Sequence, residues 1–383
     1  MNKIYYFDNA ATSFPKPDEV AAAVYKYLKD KCANPGRSSH KLSVKSARIV
    51  FETRENIAEF FNYPDSEHFI FTLNATESLN SVLNGFLKDN DYVLTTFLEH
   101  NSVLRPLNFL RKIKNIHIDF IKFSEKYGID YKDFNEKLSQ KIPDLVIVNH
   151  GSNVTGKLID LNKVLELKDR FKFKLLIDAA QTGGIFDYNL KEYNIDFLAL
   201  TGHKSLYGPQ GTGILFVREP ELLFPLKCGG TGSFSEKNIQ PEFLPDKFES
   251  GTLNVPGIAG LNEGIKFLKN TGLQKIFEKK QFLVNYFIEK LKFFDNIKIF
   301  SESDNNCGVV SINIKNFSPS KVSQILDKEF NIATRPGLHC APLIHKTIGT
   351  YPEGTVRFSF GFFNEIEEID YLIDALKNLK KWQ

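Results

Sequence analysis

Lys204 lies in Thr201-Gly202-His203-Lys204-Ser205, directly after the run from Ile195 to Leu200 and before Tyr207-Gly208-Pro209-Gln210-Gly211. A lysine at a strand end, among glycines and hydroxyls, should be partly buried. Burial lowers a lysine pKa and opens imine chemistry, the property of a Schiff-base lysine. Upstream, Leu175-Leu176-Ile177 runs into Asp178-Ala179-Ala180-Gln181. Taken alone, Asp178 could be a helix cap or a loop residue. Beside a pyridinium ring it would keep the nitrogen protonated and make the ring an electron sink for a carbanion. Lysine and acid together are the two halves of a pyridoxal phosphate (PLP) site, and Gln181 could reach the ring's phenolic oxygen. Downstream, Arg335-Pro336-Gly337-Leu338-His339-Cys340-Ala341 supplies a thiol.

A phosphate would need a cradle. Asn74-Ala75-Thr76-Glu77-Ser78 follows a strand and opens a helix. A helix start offers free N–H groups and a positive dipole end, and Thr76 adds a hydroxyl. The alternative there is a plain N-cap. Thr201 and His203 could add phosphate contacts. His100, in Leu98-Glu99-His100-Asn101-Ser102, could stack on a cofactor or be a polar loop residue, and His150 presents the same choice. Of the four cysteines, Cys32, Cys228 and Cys307 read as inert. Cys340 sits in a Gly-containing loop five residues after Arg335, and nearby positive charge makes thiolate available. Arg357 offers a planar fork suited to an amino-acid carboxylate.

Elements that could position these groups alternate along the chain. Strands are expected at 69–73, 92–96, 117–122, 145–149, 174–178, 197–200 and 213–217. Helices are expected at 76–87, 103–114, 131–138 and 161–171. This alternation predicts an α/β fold with a mostly parallel sheet covered on both faces. Ligands bind beyond the carboxyl ends of such strands, where Thr76, His150, Asp178 and Lys204 fall. A Gly- and Pro-rich excursion at 226–256 precedes long helices at 258–269 and 274–294. A smaller α+β unit follows, with strands at 297–300, 309–314 and 355–359 and helices at 320–330 and 365–380. The expected organisation is a large domain over 15–256 and a small C-terminal domain over 257–383, with an N-terminal arm over 1–14.

The 383 residues carry a net charge of +3, too small and scattered to argue for nucleic acid. The run at 377–381 reads as a solvated helix face. No apolar stretch approaches the roughly 20 residues of a membrane span. No signal-type leader, no metal spacing and no C-x-x-C pair is present, so a cytoplasmic protein with one working thiol and no bound metal is expected.

Six segments resemble a known family. They are Asn74-Ala75-Thr76-Glu77, Glu99-His100-Asn101, Asp178-Ala179-Ala180-Gln181, Thr201-Gly202-His203-Lys204, Glu249-Ser250-Gly251-Thr252 and Arg335-x-Gly337-x-His339-Cys340-Ala341. The chain is similar to the Suf-type cysteine desulfurase and selenocysteine lyase group of the class V aminotransferases, of PLP fold type I. That resemblance implies Lys204 as Schiff-base lysine and acid/base, Cys340 as sulfur acceptor, and His100 as the stacking ring that handles protons. It implies Asp178 at the pyridine nitrogen and Gln181 and Asn153 near the ring oxygen. Thr76, Ala75, Thr201 and His203 would surround the phosphate, with Thr252 reaching in from a second subunit, hence a homodimer. Arg357 and Arg335, with Asn153, would meet the substrate. The implied reaction converts L-cysteine to L-alanine and leaves a Cys340 persulfide, which a sulfur-acceptor protein would take, as in iron–sulfur cluster assembly. Selenocysteine lyase, cysteine sulfinate desulfinase, a true aminotransferase and a non-catalytic sulfur-delivery scaffold are the alternatives. Two segments depart from the pattern: 178–185 lacks the His often found after the Gln, and the loop at 342–349 is its own sequence.

Overall fold

A computed structural model describes residues 3–36, 40–126 and 128–379. Its strands are β1 (Tyr5–Tyr6), β2 (Phe69–Thr72), β3 (Tyr92–Thr96), β4 (His117–Ile121), β5 (Phe123–Ser124), β6 (Gly128–Ile129), β7 (Leu145–Asn149), β8 (Lys174–Asp178), β9 (Phe197–Thr201), β10 (Gly213–Val217), β11 (Ile297–Ile299), β12 (Val309–Ile314), β13 (Ile332–Ala333), β14 (Arg335–Gly337) and β15 (Thr355–Ser359). Its helices are α1 (Asp18–Asp30), α2 (Lys41–Phe60), α3 (Ala75–Phe86), α4 (Asn101–Lys114), α5 (Tyr131–Gln140), α6 (Leu161–Phe171), α7 (Val255–Thr271), α8 (Leu273–Leu291), α9 (Pro319–Phe330), α10 (Pro342–Thr347) and α11 (Ile366–Asn378).

The large sheet has the order β2-β10-β9-β8-β7-β3-β4. Pairing is parallel from β9 through β8, β7 and β3 to β4, and β10 runs antiparallel to both its neighbours. The α/β expectation holds, with β10 as the strand that makes the sheet mixed. Side chains alternate across a strand, and here the alternation feeds two cores. Val146, Val148, Leu175, Ile177, Leu198 and Leu200 enter one. Leu145, Ile147, Leu176, Phe197 and Ala199 enter the other, under α3 and α4. Central strands buried on both faces must be apolar throughout, which is why they read as continuous runs.

Helix α7 buries Val255, Ile258, Leu261 and Ile265 in the first of these cores, against α1 and α2. A separate core joins α8, α9 and α11 to β12 and β15 of the four-stranded sheet β11-β12-β15-β14. Phe7 of the N-terminal segment is fully buried in that core, worth about 1.5–3 kcal/mol. Helices α1 and α2 lie outside the expected elements. The final helix ends at Asn378, and Lys380 and Lys381 of the basic run lie outside the described residues. No described helix is long and apolar enough to cross a membrane.

Candidate active site

The β2, β3, β7, β8 and β9 strands all point the same way, because β10 is the one reversed strand between β2 and β9. Their carboxyl ends therefore open on one edge of the sheet. A cavity of about 270 Å³ lies there, lined from five successive loops. The β2–α3 turn contributes Asn74, Ala75 and Thr76, and the β3–α4 turn His100 and Ser102. Residues Asn149 and Asn153 come from the end of β7, Asp178, Ala180 and Gln181 from β8, and Thr201, His203 and Lys204 from β9. Every cofactor residue named from the sequence lines this cavity except Thr252. That residue is exposed on the excursion after β10, where its Oγ1 accepts from Asn34 Nδ2 at 3.4 Å, and it does not line this cavity.

Local sequence explains each placement. Asn74 caps α3 by accepting from the Glu77 N–H at 3.0 Å, leaving the first turn facing the cavity. His100 caps α4: its Nδ1 accepts from the Ser102 N–H at 3.1 Å. That contact assigns Nδ1 as acceptor and leaves Nε2 to carry the proton. Burial, then the charges of Lys204, Arg335, Arg105 and Arg357, push His100 down to about 4, so the ring is neutral at pH 7. Ser102 Oγ also contacts Thr76 Oγ1 at 2.7 Å, joining two loops of the cavity wall. Sequence reading passed over Ser102, although a hydroxyl in the first turn of a helix that starts beyond a strand end was the available signal.

Asp178 is buried at the end of β8, and Oδ1 accepts from the Ala180 N–H at 2.9 Å. Burial raises its pKa, against the opposing pull of that amide and of Lys204. Lys204 is pushed down to about 8, chiefly by burial and against the attraction of Asp178. Its loop is pinned from outside: Ser13 Oγ donates to the Lys204 carbonyl at 2.8 Å. The neighbouring His203 carbonyl accepts from Ser13 N–H at 3.0 Å, Thr12 Oγ1 at 3.0 Å and Lys16 Nζ at 2.8 Å. Gly184 fits beneath, since a Cβ there would stand 1.9 Å from the Ser205 carbonyl oxygen.

Three buried polar atoms on or beside the cavity wall have no protein partner: Thr201 Oγ1, His203 Nδ1 and Asn153 Oδ1. Buried polar groups are normally satisfied. A hydroxyl, a ring nitrogen and an amide oxygen, beside a helix start and a buried carboxylate, suit a ligand with a phosphate and a polar ring. By these donors and acceptors the residues fit PLP. His150 does not join them. It is buried against Tyr188 and Phe186, with Nδ1 on the Tyr188 hydroxyl, and takes the non-cofactor alternative.

The thiol loop comes from the small unit. The Asn101 N–H donates to the Cys340 carbonyl at 2.7 Å, and Asn153 Nδ2 donates to the His339 carbonyl at 2.7 Å. Cys340 is thus tied beside His100, and its side chain is exposed. Both His339 (φ 49°) and Cys340 (φ 60°) adopt left-handed backbone. Such conformations cost energy for residues with a Cβ and persist where the surroundings over-determine them. Arg335 Nη2 lies 3.9 Å from Cys340 Sγ. Arg357 is fully buried, and Nη1 donates to the Asn153 carbonyl at 3.0 Å. Its Nη2 meets Asp8 Oδ1 at 2.7 Å, a partner that the sequence had not revealed. Glu99 is buried under the same edge, where Oε1 accepts from Thr96 Oγ1 at 2.8 Å and from the Asn149 N–H at 3.0 Å. No group of metal-ligating side chains occurs among the described residues.

Comparison with known proteins adds a lineage to this geometry. The family model for aminotransferase class-V matches residues 5–372. A protein of Borreliella burgdorferi named probable cysteine desulfurase is 33% identical, over 99% of this chain and 92% of that protein. One of the same name from Pyrococcus abyssi is 34% identical, over 99% and 95%. The solved apo structure of a cysteine desulfurase from Thermococcus onnurineus superimposes with a TM-score of 0.92 at 32% identity, covering 100% of this chain and 96% of that one.

Proposed function

The chain belongs to the class V aminotransferase family, and on that premise we propose that it is a PLP-dependent cysteine desulfurase that turns L-cysteine into L-alanine. One observation carries the reading. The Asn101 amide holds the Cys340 carbonyl at 2.7 Å, so the loop carrying the exposed Cys340 thiol is tied to the start of α4, next to His100 of the cavity wall. An aminotransferase has no use for a thiol there.

PLP would be held by Ala75, Thr76, Thr201 and His203 at its phosphate, Asp178 at its pyridine nitrogen, and Gln181 and Asn153 near its ring oxygen, with His100 on its face. When bound, it would draw electrons away from the substrate's α-carbon. Lys204, low in pKa and half-buried, serves as the base for the Cα proton. Arg357 receives the substrate carboxylate. Cys340 Sγ then attacks the substrate sulfur: an S–S bond forms, the Cβ–S bond breaks, and its electron pair stays on the carbon fragment. Protonation of that fragment, with neutral His100 as proton carrier, completes alanine. Cys340 is left as a persulfide for an acceptor protein.

Thr252 supports a homodimer with composite sites, because it is exposed and removed from its own cavity. Leu73, Phe224, Ile239 and Phe243, exposed on or near the same excursion, would be covered by the second copy. The separation of the cores on the large sheet from that of the four-stranded sheet supports a large PLP domain and a small C-terminal domain, and four free cysteines suit the cytoplasm.

Cys340→Ser tests the reading. With L-cysteine and a thiol reductant, alanine and sulfide release should fall by orders of magnitude, because the covalent step is lost, while PLP occupancy stays at the parent level. A selenocysteine lyase would lose less and an aminotransferase almost nothing. Turnover at the parent rate would refute the persulfide route.

A further inference from the structure

Arg335 and Arg357 stand directly opposite each other on the antiparallel strands β14 and β15. Like charges so placed repel, and Arg357 is buried, where an uncompensated cation is costly. The four-stranded sheet offers no carboxylate to Arg357. The N-terminal segment does. Asp8 forms a parallel bridge with Ser359, two residues beyond Arg357 on β15, and its Oδ1 meets Arg357 Nη2 at 2.7 Å. The Asn153 carbonyl holds Nη1 at 3.0 Å, so two acceptors fix the plane of the guanidinium. Nε is buried and has no partner. A guanidinium held at both terminal nitrogens, with a free buried N–H on one edge, is ready to accept one more anion in a defined orientation.

We propose that Asp8 is a positioning residue for the substrate carboxylate: by holding Arg357 against Asn153 it keeps the clamp aimed into the cavity and apart from Arg335, which stays with Cys340. The inference rests on Arg357 being the carboxylate clamp. The same segment is anchored independently of Asp8. Phe7 is buried in the small core, Asn9 Nδ2 donates to the Ser359 carbonyl at 3.0 Å, and the Ala10 N–H donates to Ser359 Oγ at 2.8 Å. Asp8 can therefore be replaced without releasing the arm.

The experiment compares holoenzyme variants with L-cysteine and with cysteamine, which has the same thiol and amine but no carboxylate. Preorganisation lost at a clamp costs on the order of tenfold or more. Asp8→Ala should raise KM for L-cysteine about tenfold and change kcat by less than about threefold, with the cysteamine inhibition constant unmoved. Asp8→Asn keeps an acceptor at the same place and should recover part of the loss; it carries the test alone if Asp8→Ala does not fold. An unchanged KM, or equal weakening of L-cysteine and cysteamine, would overturn the proposal. Arg357→Gln separates the premise: it should erase the preference for the carboxylate-bearing ligand. Retained preference there refutes the clamp itself, and the role of Asp8 with it.

Discussion

Removing the carboxylate of Glu249 should destabilise the protein strongly. Glu249 sits in the excursion after β10, yet its side chain and that of Arg54 are each only 6% exposed. Arg54 Nη1 and Nη2 donate to its two oxygens at 2.8 Å each. The Phe71 N–H of β2 donates to Oε1 at 2.7 Å, and Arg54 also reaches the Phe69 carbonyl. Glu249→Ala strands a buried guanidinium and a strand amide together, which costs about 3–5 kcal/mol. At about 2 °C or more per kcal/mol for a unit of this size, the apo protein should melt roughly 6–10 °C lower by calorimetry. Apo must be compared with apo, because a bound cofactor adds stability of its own. The pair Arg54→Met with Glu249→Leu removes both charges and should regain most of the loss. A Glu249→Ala midpoint within 2 °C of the parent, or a double variant no better than the single, would refute the argument.

Three further outcomes follow from the site. Apo protein should capture PLP with a rate that climbs through about pH 8, because the Lys204 amine loses its proton there rather than near 10.5; a midpoint near 10 by absorbance stopped-flow would contradict the burial argument. Glu99 is raised by burial from an ordinary value near 4.5 to about 8, so the folded state binds the extra proton and stability from this group is full below 4.5 and declines up to 8. Glu99→Gln should flatten that decline in urea titrations at pH 5 and pH 8, and an unchanged slope would count against a buried neutral acid. Gly184→Ala places a methyl 1.9 Å from the Ser205 carbonyl and, at about 1–3 kcal/mol of overpacking, should shift the lysine loop enough to lower PLP occupancy; occupancy equal to the parent by cofactor extraction would refute it.

The strands of the large sheet were legible because burial on both faces demands unbroken apolar runs, and Leu145–Asn149 and Lys174–Asp178 emerged with their bounds. Helix α2 was not. Its 20 residues include Lys41, Lys45, Arg48, Glu52, Arg54 and Glu55, and a buried arginine that satisfies a distant glutamate looks like solvent-facing charge in one dimension. Strand β14 consists of Arg335, Pro336 and Gly337, a composition that reads as loop and becomes strand only by pairing with β15. The strand-end positions of Lys204 and Asp178 were legible because such a position is a local property of the sequence. The partner of Arg357 could not, since Asp8 lies 349 residues away in sequence.

That separation has a consequence for how the protein is made. Residues 5–16 are synthesised long before their partners at Ile332, Ala333, Arg357 and Ser359, which follow up to about 350 residues later. At roughly 5–20 residues per second, the arm waits on the order of 20–70 s on the ribosome before its seat exists. Until then the His203 and Lys204 carbonyls can be gripped by Thr12, Ser13 and Lys16, but Phe7 and Asp8 have no seat. The large sheet, complete by Val217, can thus form before Cys340 and Arg357 have been added to the chain.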